Sequence, residues 1–261
     1  MLVTTMYTGS GLGNQLANYV ATRCLASDKG YKFGIQYPEN FKGHSFMTLN
    51  FGEIVMGGKS NVEGQHPEVL PDTIDHWYKE ETQDYDPKFK DIEDNTLIHG
   101  WLQGIDYFKH RKAAVRKWLK VDFLDMPENV CVINFRGGEY KYVADFFLPK
   151  NYFDMAVKEM LKTNSDMQFV VHTDDKEEAS KFFPDYPIIQ DMGINWRAIR
   201  YSKYLILSNS SFAILPAFLN ESVKRVIAPW GFGRYNKNYW LLTQNYVEGW
   251  DWLKNNGEII K

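Results

Sequence analysis

Apolar runs of strand length alternate with helical patterns through the second half of the chain. The run at 130–135 is followed by apolar positions at helical spacing within 153–161. Further apolar runs at 169–172, 204–207 and 223–228 continue the alternation. Such an alternation of strands and helices predicts a parallel sheet with helices on both faces.

The first half of the chain has a weaker pattern. Residues 2–8 form a short apolar run that ends at the glycines of 9–13, and a helix is predicted from Asn14, whose side chain can cap it. A helix is predicted at 105–119, and further strands are predicted at 31–36 and 96–103. Between them, 39–94 combines Gly, Pro, Asn and Asp without clear periodicity, which indicates loops and short elements.

These patterns predict an α/β protein of two domains. A turn with proline near 126–129 separates a first domain, 1–127, from a second, 128–245. The tail 246–261 is predicted to be a helix that packs back, across the first domain.

Composition excludes several classes of function. The formal net charge of the 261 residues is −3 and there is no long basic block, so a nucleic-acid partner is not expected. Cys24 and Cys131 are the only cysteines, which fits a reducing compartment. No apolar run reaches membrane-spanning length and no signal peptide is evident, so we expect a cytoplasmic protein. The aromatic share of 16% suits sugar rings or simply an aromatic-rich core.

Three polar residues follow apolar strands, where ligands of parallel sheets bind. Arg136 precedes two glycines and can neutralise a diphosphate through two parallel hydrogen bonds. Asp174 follows the next strand. Ser210 and Ser211 stand where a helix begins, so they either bind phosphate or simply cap the helix. Glu139 is a candidate general base, or it orients Arg136.

Neither a dinucleotide fingerprint nor a metal site is supported. The glycine loop 9–13 has Asn14 where the fingerprint needs its third glycine, so a tight turn and a phosphate loop both stay open. Asp84 and Asp86 have a spacing that can hold a cation but lack a preceding apolar strand. The six histidines show no zinc-like spacing. We therefore expect neither a metal nor another cofactor.

Seven segments, in chain order, resemble motifs of the α-1,2-fucosyltransferase family, glycosyltransferase family 11, and of related fucosyltransferases. They are GLGNQL at 11–16, GWLQ at 100–103 with YF at 107–108, NFRGGEY at 134–140, LP at 148–149 with YF at 152–153, TDD at 173–175, SNSSF at 208–212 and VIAP at 226–229. The third segment is similar to the family's H-x-R-R-G-D-Y motif.

The resemblance implies a GT-B-like fold of two Rossmann-like domains, with an acceptor-side domain at 1–127, a nucleotide-sugar domain at 128–245 and a cleft between them. It also implies GDP-fucose as donor, a glycan acceptor, inversion at the anomeric carbon and no metal. By position, Arg136 would stabilise the departing β-phosphate, while Ser210 and Ser211 would contact the diphosphate. The other residues implied for the nucleotide-sugar site are Gly13, Asn14, Gln15, Asn134, Gly138, Asp174, Asn195 and Asn209.

Several departures from the family pattern affect the donor site. The motif's histidine is Asn134, its second arginine is Gly137 and its aspartate is Glu139, while an acid before a later helix is Asn195. These changes leave open a catalytically inactive homologue that binds sugar nucleotides or glycans. The glycine loop leaves open a dinucleotide-dependent oxidoreductase.

Overall fold

The computed structural model describes residues 1–58, 70–81, 84–231 and 246–261. The chain divides into two compact units, Met1–Val121 and Asp122–Lys261, called unit 1 and unit 2. The predicted boundary between 127 and 128 lies a short distance after this division. Each unit is a Rossmann-like α/β fold, the class that the sequence predicts.

Unit 1 is built on a parallel sheet of five strands. Its elements are β1 Leu2–Thr5, α1 Leu12–Lys29, β2 Phe33–Gln36, β3 Glu53–Ile54, β4 His76–Lys79, β5 Thr96–His99 and α2 Lys112–Trp118. The strand order is β3-β2-β1-β5-β4. Every pairing is parallel. The apolar face of α1, which includes Leu16, Val20 and Cys24, is fully buried.

Two predictions in unit 1 are wrong in detail. Helix α1 begins at Leu12 with Gly11 as its N-cap, so Asn14 lies in the first turn and does not cap the helix. Strand β5 ends at His99 and does not continue to residue 103. The reason is Glu80, whose carboxylate accepts the backbone N–H groups of Trp101 and Leu102 and draws this segment out of the sheet.

Unit 2 is a larger sheet with helices between its strands. Its elements are β6 Val130–Phe135, α3 Lys150–Leu161, β7 Gln168–Thr173, α4 Lys176–Phe182, β8 Ile188–Ile189, α5 Met192–Tyr201, β9 Tyr204–Ile206, α6 Ser211–Leu219, β10 Arg225–Pro229, β11 Asp251–Leu253 and β12 Ile259–Ile260. The order is β12-β11-β10-β9-β6-β7-β8, and only β12 is antiparallel to its neighbour. From β8 to β11 this is the 3-2-1-4-5-6 order of doubly wound folds.

The tail after residue 245 is not the predicted helix. It forms β11 and β12, and β11 extends the parallel sheet of unit 2 beside β10. Trp252 is fully buried, and its indole N–H donates to the carbonyl of Val247 at 3.2 Å. Because a strand inside a covered sheet is buried on both faces, adjacent apolar residues such as Trp252 and Leu253 suit it as well as a helix.

An aromatic cluster supports the carboxyl end of β6. Phe135, the last residue of the strand, has its ring 5.5 Å from that of Phe153 and 5.7 Å from that of Phe183. All three side chains are buried. The end of β6 is therefore fixed by packing on the face covered by α3 and α4.

No helix in the described parts of the chain combines the length and the apolar character needed to span a membrane.

Candidate functional site

The candidate site lies in unit 2, where β6 and β9 end side by side. Connections leave these two neighbouring strands toward opposite edges of the sheet, which makes this the switch point where such sheets bind ligands. Ser208 joins the two strand ends. Its hydroxyl donates to the carbonyl of Asn134 at 2.7 Å and accepts from the N–H of Arg136 at 3.1 Å. The backbone before Arg136 is thus held in place from both strands.

A cavity of about 250 Å³ opens at these strand ends. It is lined by Asn134, Phe135, Arg136, Thr173, Asp174, Gln190, Asp191, Met192, Asn195, Ser210 and Phe212. Four of the residues predicted for the nucleotide-sugar site, and the predicted catalytic residue Arg136, are among them, and they come from segments far apart in sequence.

The guanidinium of Arg136 is held by two carboxylates and a ring. It forms an ion pair with Asp174, and its Nη2 donates to Glu139 Oε1 at 3.0 Å. The guanidinium carbon lies 5.1 Å from the centre of the Tyr140 ring. These contacts orient a cation at the cavity wall and reduce the net charge around it.

Asp174 connects the ends of β6 and β7. Besides Arg136, it accepts the N–H of Gly137 at 2.9 Å. Burial raises the pKa of Asp174 above its ordinary value, although Arg136 and the Gly137 N–H act against this rise. A Cβ at Gly137 would lie 2.8 Å from Cβ of Asp175 and 3.1 Å from the Phe135 ring. The position of the family motif's second arginine is therefore too tight for a side chain in this structure.

Helix α6 begins at the cavity. Its N-cap residue, Ser210, lines the cavity, and the Ser210 side chain makes no capping hydrogen bond. The N–H groups at a helix N-terminus and the helix dipole favour an anion there. Ser211 is the first residue of the helix. Ser210 is thus not used as a simple cap, one of the two roles that the sequence left open.

Two buried amide side chains beside α6 have polar atoms without partners. Both amide atoms of Asn209, and Oδ1 of Asn134, are buried and form no hydrogen bond with any described residue. An unpaired buried polar group costs about 1–3 kcal/mol. Such groups next to a cavity are typical of a site that binds a polar ligand.

The amide of Asn195 is fixed within the cavity wall. Its Nδ2 donates to the carbonyl of Thr173 at 2.9 Å, and its Oδ1 lies 2.8 Å from Nδ1 of His172. Burial lowers the pKa of His172, which favours the neutral ring, and Nδ1 donates to the Asn195 oxygen because an amide oxygen can only accept. His172 was not among the predicted residues, although it stands in β7 directly before the TDD segment.

Sequence reasoning missed several residues that line the cavity. Gln190 and Asp191 follow the short strand β8, and Asp191 caps α5 by accepting the N–H of Ile194 at 2.7 Å. The rule that ligands bind beyond strand ends could have found both. Met192 and Phe212 supply apolar surface, and nothing in their chemistry distinguishes them from core residues in the sequence.

The three predicted site residues at the start of α1 belong to unit 1. Gly13 is buried, as is Gln15, whose side chain donates to the carbonyl of Asn40 at 2.9 Å and accepts the N–H of Lys42 at 3.0 Å. Gln15 therefore holds the loop after β2. Asn14 is half-buried, and its Oδ1 accepts a hydrogen bond from Nε2 of Gln103 at 2.8 Å. The GLGNQL and GWLQ segments thus meet.

No described residues form a cluster of three or more His, Cys, Asp or Glu side chains suited to a metal ion. Asp86 accepts from the Tyr78 hydroxyl at 2.8 Å and from the Lys88 N–H at 2.9 Å. Cys24 and Cys131 are both free and buried. Burial raises the pKa of the Cys24 thiol to about 12, so this thiol stays protonated at neutral pH.

Comparison with solved structures finds similarities in fold, three of which are given below. No protein-family profile and no curated protein matches the sequence. Fucosyltransferase NodZ from Bradyrhizobium is similar with 11% identity and a TM-score of 0.48, over 86% of this chain and 94% of that one. NodZ α-1,6-fucosyltransferase soaked with GDP-fucose has 10% identity and a TM-score of 0.48, over 86% and 93% of the two chains. E. coli heptosyltransferase WaaC with ADP has 12% identity and a TM-score of 0.43, over 92% of each.

Proposed function

We propose that this protein is an inverting glycosyltransferase that moves a sugar, fucose from GDP-fucose, to a hydroxyl group of a glycan acceptor. The observation that carries the proposal is the position of Arg136 at the switch-point cavity of unit 2, beside the N-terminus of α6. The choice of GDP-fucose rests on the resemblance of the sequence segments to fucosyltransferases.

The chemistry of the cavity fits the two ends of a nucleotide. Arg136, Ser210 and the N-terminus of α6 suit the diphosphate, because all three favour negative charge. Met192 and Phe212 suit the planar base, which buries apolar surface. In this proposal, the unpaired Oδ1 of Asn134, which lines the cavity, accepts a hydrogen bond from the polar edge of the donor.

In the proposed reaction, an acceptor hydroxyl attacks the anomeric carbon as the bond to the β-phosphate oxygen breaks. The bonding electrons leave with the diphosphate, and a general base takes the proton of the hydroxyl. Arg136 and α6 stabilise the charge that develops on the diphosphate, which is the role of a divalent cation in other enzymes. We propose that no metal takes part.

Glu139 is the proposed base, and its contacts also support a second role. Its side chain is largely exposed, and it accepts a hydrogen bond from Arg136. Through this contact Glu139 can also orient Arg136, which is the second role that the sequence left open. Two observations favour the alternative, a protein that binds sugar nucleotides without turning them over. Arg136 is paired with two carboxylates, and Gly137 has no side chain.

The test is turnover of GDP-fucose, as transfer to a glycan panel and as hydrolysis, by wild type, Arg136→Ala and Arg136→Lys. We expect Arg136→Ala to lower turnover by about 10²–10³-fold, because a preorganised charged contact is lost. Arg136→Lys should retain part of the turnover that Arg136→Ala loses, but not all of it, since an ammonium group cannot form two parallel hydrogen bonds. Arg111→Ala is the matched control, because Arg111 also pairs with an aspartate at similar exposure, in unit 1.

Near wild-type turnover by Arg136→Ala would contradict the assignment. If GDP-fucose bound but neither the wild type nor any of the variants turned it over, the non-catalytic alternative would be favoured. Stabilisation by NAD or NADP and not by GDP would favour a dinucleotide enzyme.

A further inference from the structure

The sheet of unit 1 has a switch point of its own. With the order β3-β2-β1-β5-β4, connections leave β1 and β5 toward opposite edges of the sheet. The segment 8–14 follows β1 and the segment 100–103 follows β5. We call the surface formed by these two segments the unit 1 crevice. Parallel sheets bind ligands at such a position.

A tryptophan stands in this crevice on a backbone that is held unusually firmly. Trp101 is 44% exposed although it belongs to the most apolar residue types. The buried carboxylate of Glu80 accepts the N–H of Trp101 at 2.9 Å and that of Leu102 at 3.0 Å. Leu102 has a φ of 45°, a left-handed conformation that costs about 1–3 kcal/mol in a residue that is not glycine.

Glu80 is itself fixed from two sides. The hydroxyl of Tyr107 donates to Glu80 Oε1 at 2.6 Å. A Cβ at Gly100 would lie 2.7 Å from Cβ of Glu80, so only glycine fits there. The structure thus uses a buried acid, a strained residue and an obligatory glycine to present one exposed indole. Strain that the surroundings enforce is typical of functional surfaces.

Gln103, two residues after Trp101, carries an amide side chain that is open on one side. Nε2 of Gln103 donates to Asn14 Oδ1 at 2.8 Å, and the Gln103 side chain forms no other hydrogen bond with the described residues. Asn18 donates to the carbonyl of Gly100 at 2.8 Å, which fixes the second segment against α1. The amide oxygen of Gln103 is therefore able to accept a hydrogen bond from a ligand.

The crevice has no charged side chain. None of the residues at 8–14 or 100–103 is Asp, Glu, Lys or Arg. A phosphate site normally adds a cation to the N–H groups of a helix N-terminus. An aromatic face beside amides, without charge, suits instead a neutral ligand that has an apolar face and hydroxyl groups. A pyranose ring has both.

We propose that the unit 1 crevice binds a pyranose ring of a neutral glycan, stacked on Trp101 and hydrogen-bonded by Gln103. This inference rests on the proposed function in one respect: the glycan is then the acceptor of the transfer. Stacking on the Trp101 indole contributes affinity that depends little on the glycosidic linkage. The Gln103 amide selects a ring that has a hydroxyl group within hydrogen-bonding distance.

The test is saturation-transfer NMR on the full chain, with lactose and cellobiose as probes, for wild type, Trp101→Ala and Trp101→Phe. We expect the ring C–H protons of at least one disaccharide to receive saturation from wild type. Trp101→Ala should bind it about tenfold more weakly, while Trp101→Phe keeps most of the affinity because it keeps an aromatic face. Phe123→Ala is the control, since Phe123 is an exposed aromatic residue of unit 2.

Stabilisation by GDP, measured on the same four proteins, separates this inference from the proposed function. Equal GDP stabilisation in all four, with disaccharide binding lost only in Trp101→Ala, supports both. Disaccharide binding that depends on Trp101, without any response to GDP, leaves the glycan site standing and overturns its role as acceptor site. The glycan site is overturned if wild type transfers no saturation to either disaccharide, if Trp101→Ala binds as wild type does, or if inorganic phosphate displaces the disaccharide.

Discussion

The carboxyl edges of the two sheets share a backbone layout and differ in charge. In each unit, a glycine-containing loop follows the first strand and meets a second loop across the switch point. The unit 1 crevice is uncharged and presents an indole and amides. The edge of unit 2 presents Arg136 among Asp174, Glu139 and the N-terminus of α6. A similar scaffold thus carries two chemistries, and the ligand of each edge has to be inferred from its side chains.

The largest expected effect comes from adding charge to the edge of unit 2. Gly137→Arg restores the second arginine of the family motif, but its Cβ would lie 2.8 Å from Cβ of Asp175. We expect the free energy of unfolding to fall by about 1–3 kcal/mol, with no gain in GDP affinity. Urea unfolding and calorimetric titration with GDP measure the two quantities.

Tyr142→Arg is the control for this substitution. It adds the same guanidinium to the same loop at a side chain that is 81% exposed. If Gly137→Arg were as stable as wild type and bound GDP more tightly, the proposed lack of space at residue 137 would be wrong.

The next substitution tests whether the base and the diphosphate of GDP contact different parts of the cavity. Its expected effect is smaller. Met192→Ala removes apolar surface from a wall of the cavity, in a side chain that is already 44% exposed. We expect GDP to bind several-fold more weakly, by about 1 kcal/mol, while pyrophosphate binds as before. Met56→Ala, an exposed methionine of unit 1, serves as control. Equal losses for GDP and pyrophosphate would place the base elsewhere.

The smallest effect concerns the acid that supports the unit 1 crevice. Burial raises the pKa of Glu80 above its ordinary value of 4.5, so the folded protein binds this proton more tightly than the unfolded chain does. The stability that Glu80 contributes is therefore complete below about pH 4.5 and is lost as the pH rises through the raised pKa. Wild type should therefore lose stability relative to Glu80→Gln as the pH rises across this interval.

Urea unfolding of both proteins at a series of pH values measures this difference. Because the lowered pKa values of other acids act in both proteins alike, only the difference between the two curves is informative. Parallel curves would show that Glu80 ionises as freely in the folded protein as in the unfolded one.

The sequence was sufficient where buried strands lead directly to polar residues. Strand β6 is buried at every position, so apart from Asn134 it reads as an apolar run, and Arg136 follows at its end. The same reasoning located Asp174 and Ser210. In contrast, β3 and β4 lie at the edges of the unit 1 sheet and are largely exposed, so they leave no apolar pattern within 39–94. This is why no strands could be predicted within 39–94.

Other parts of the site depend on tertiary contacts that no local pattern reveals. Met192 and Phe212 line the cavity, yet their residue types predict a core equally well. Ser208 was known as a motif residue, but the hydrogen bonds that join β6 to β9 through its hydroxyl are visible only in the fold. The support of Trp101 by Glu80 joins residues that lie about twenty positions apart, across two strands.

The central claim is that Arg136 binds the diphosphate of the donor, and a thermodynamic cycle tests it most directly. Calorimetry would measure the affinities of GDP and of guanosine for wild type and for Arg136→Ala. We expect the substitution to weaken GDP binding by about 2 kcal/mol, roughly 30-fold, and to leave guanosine binding unchanged. An equal preference for GDP over guanosine in both proteins would contradict the claim, because the diphosphate would then gain nothing from the guanidinium.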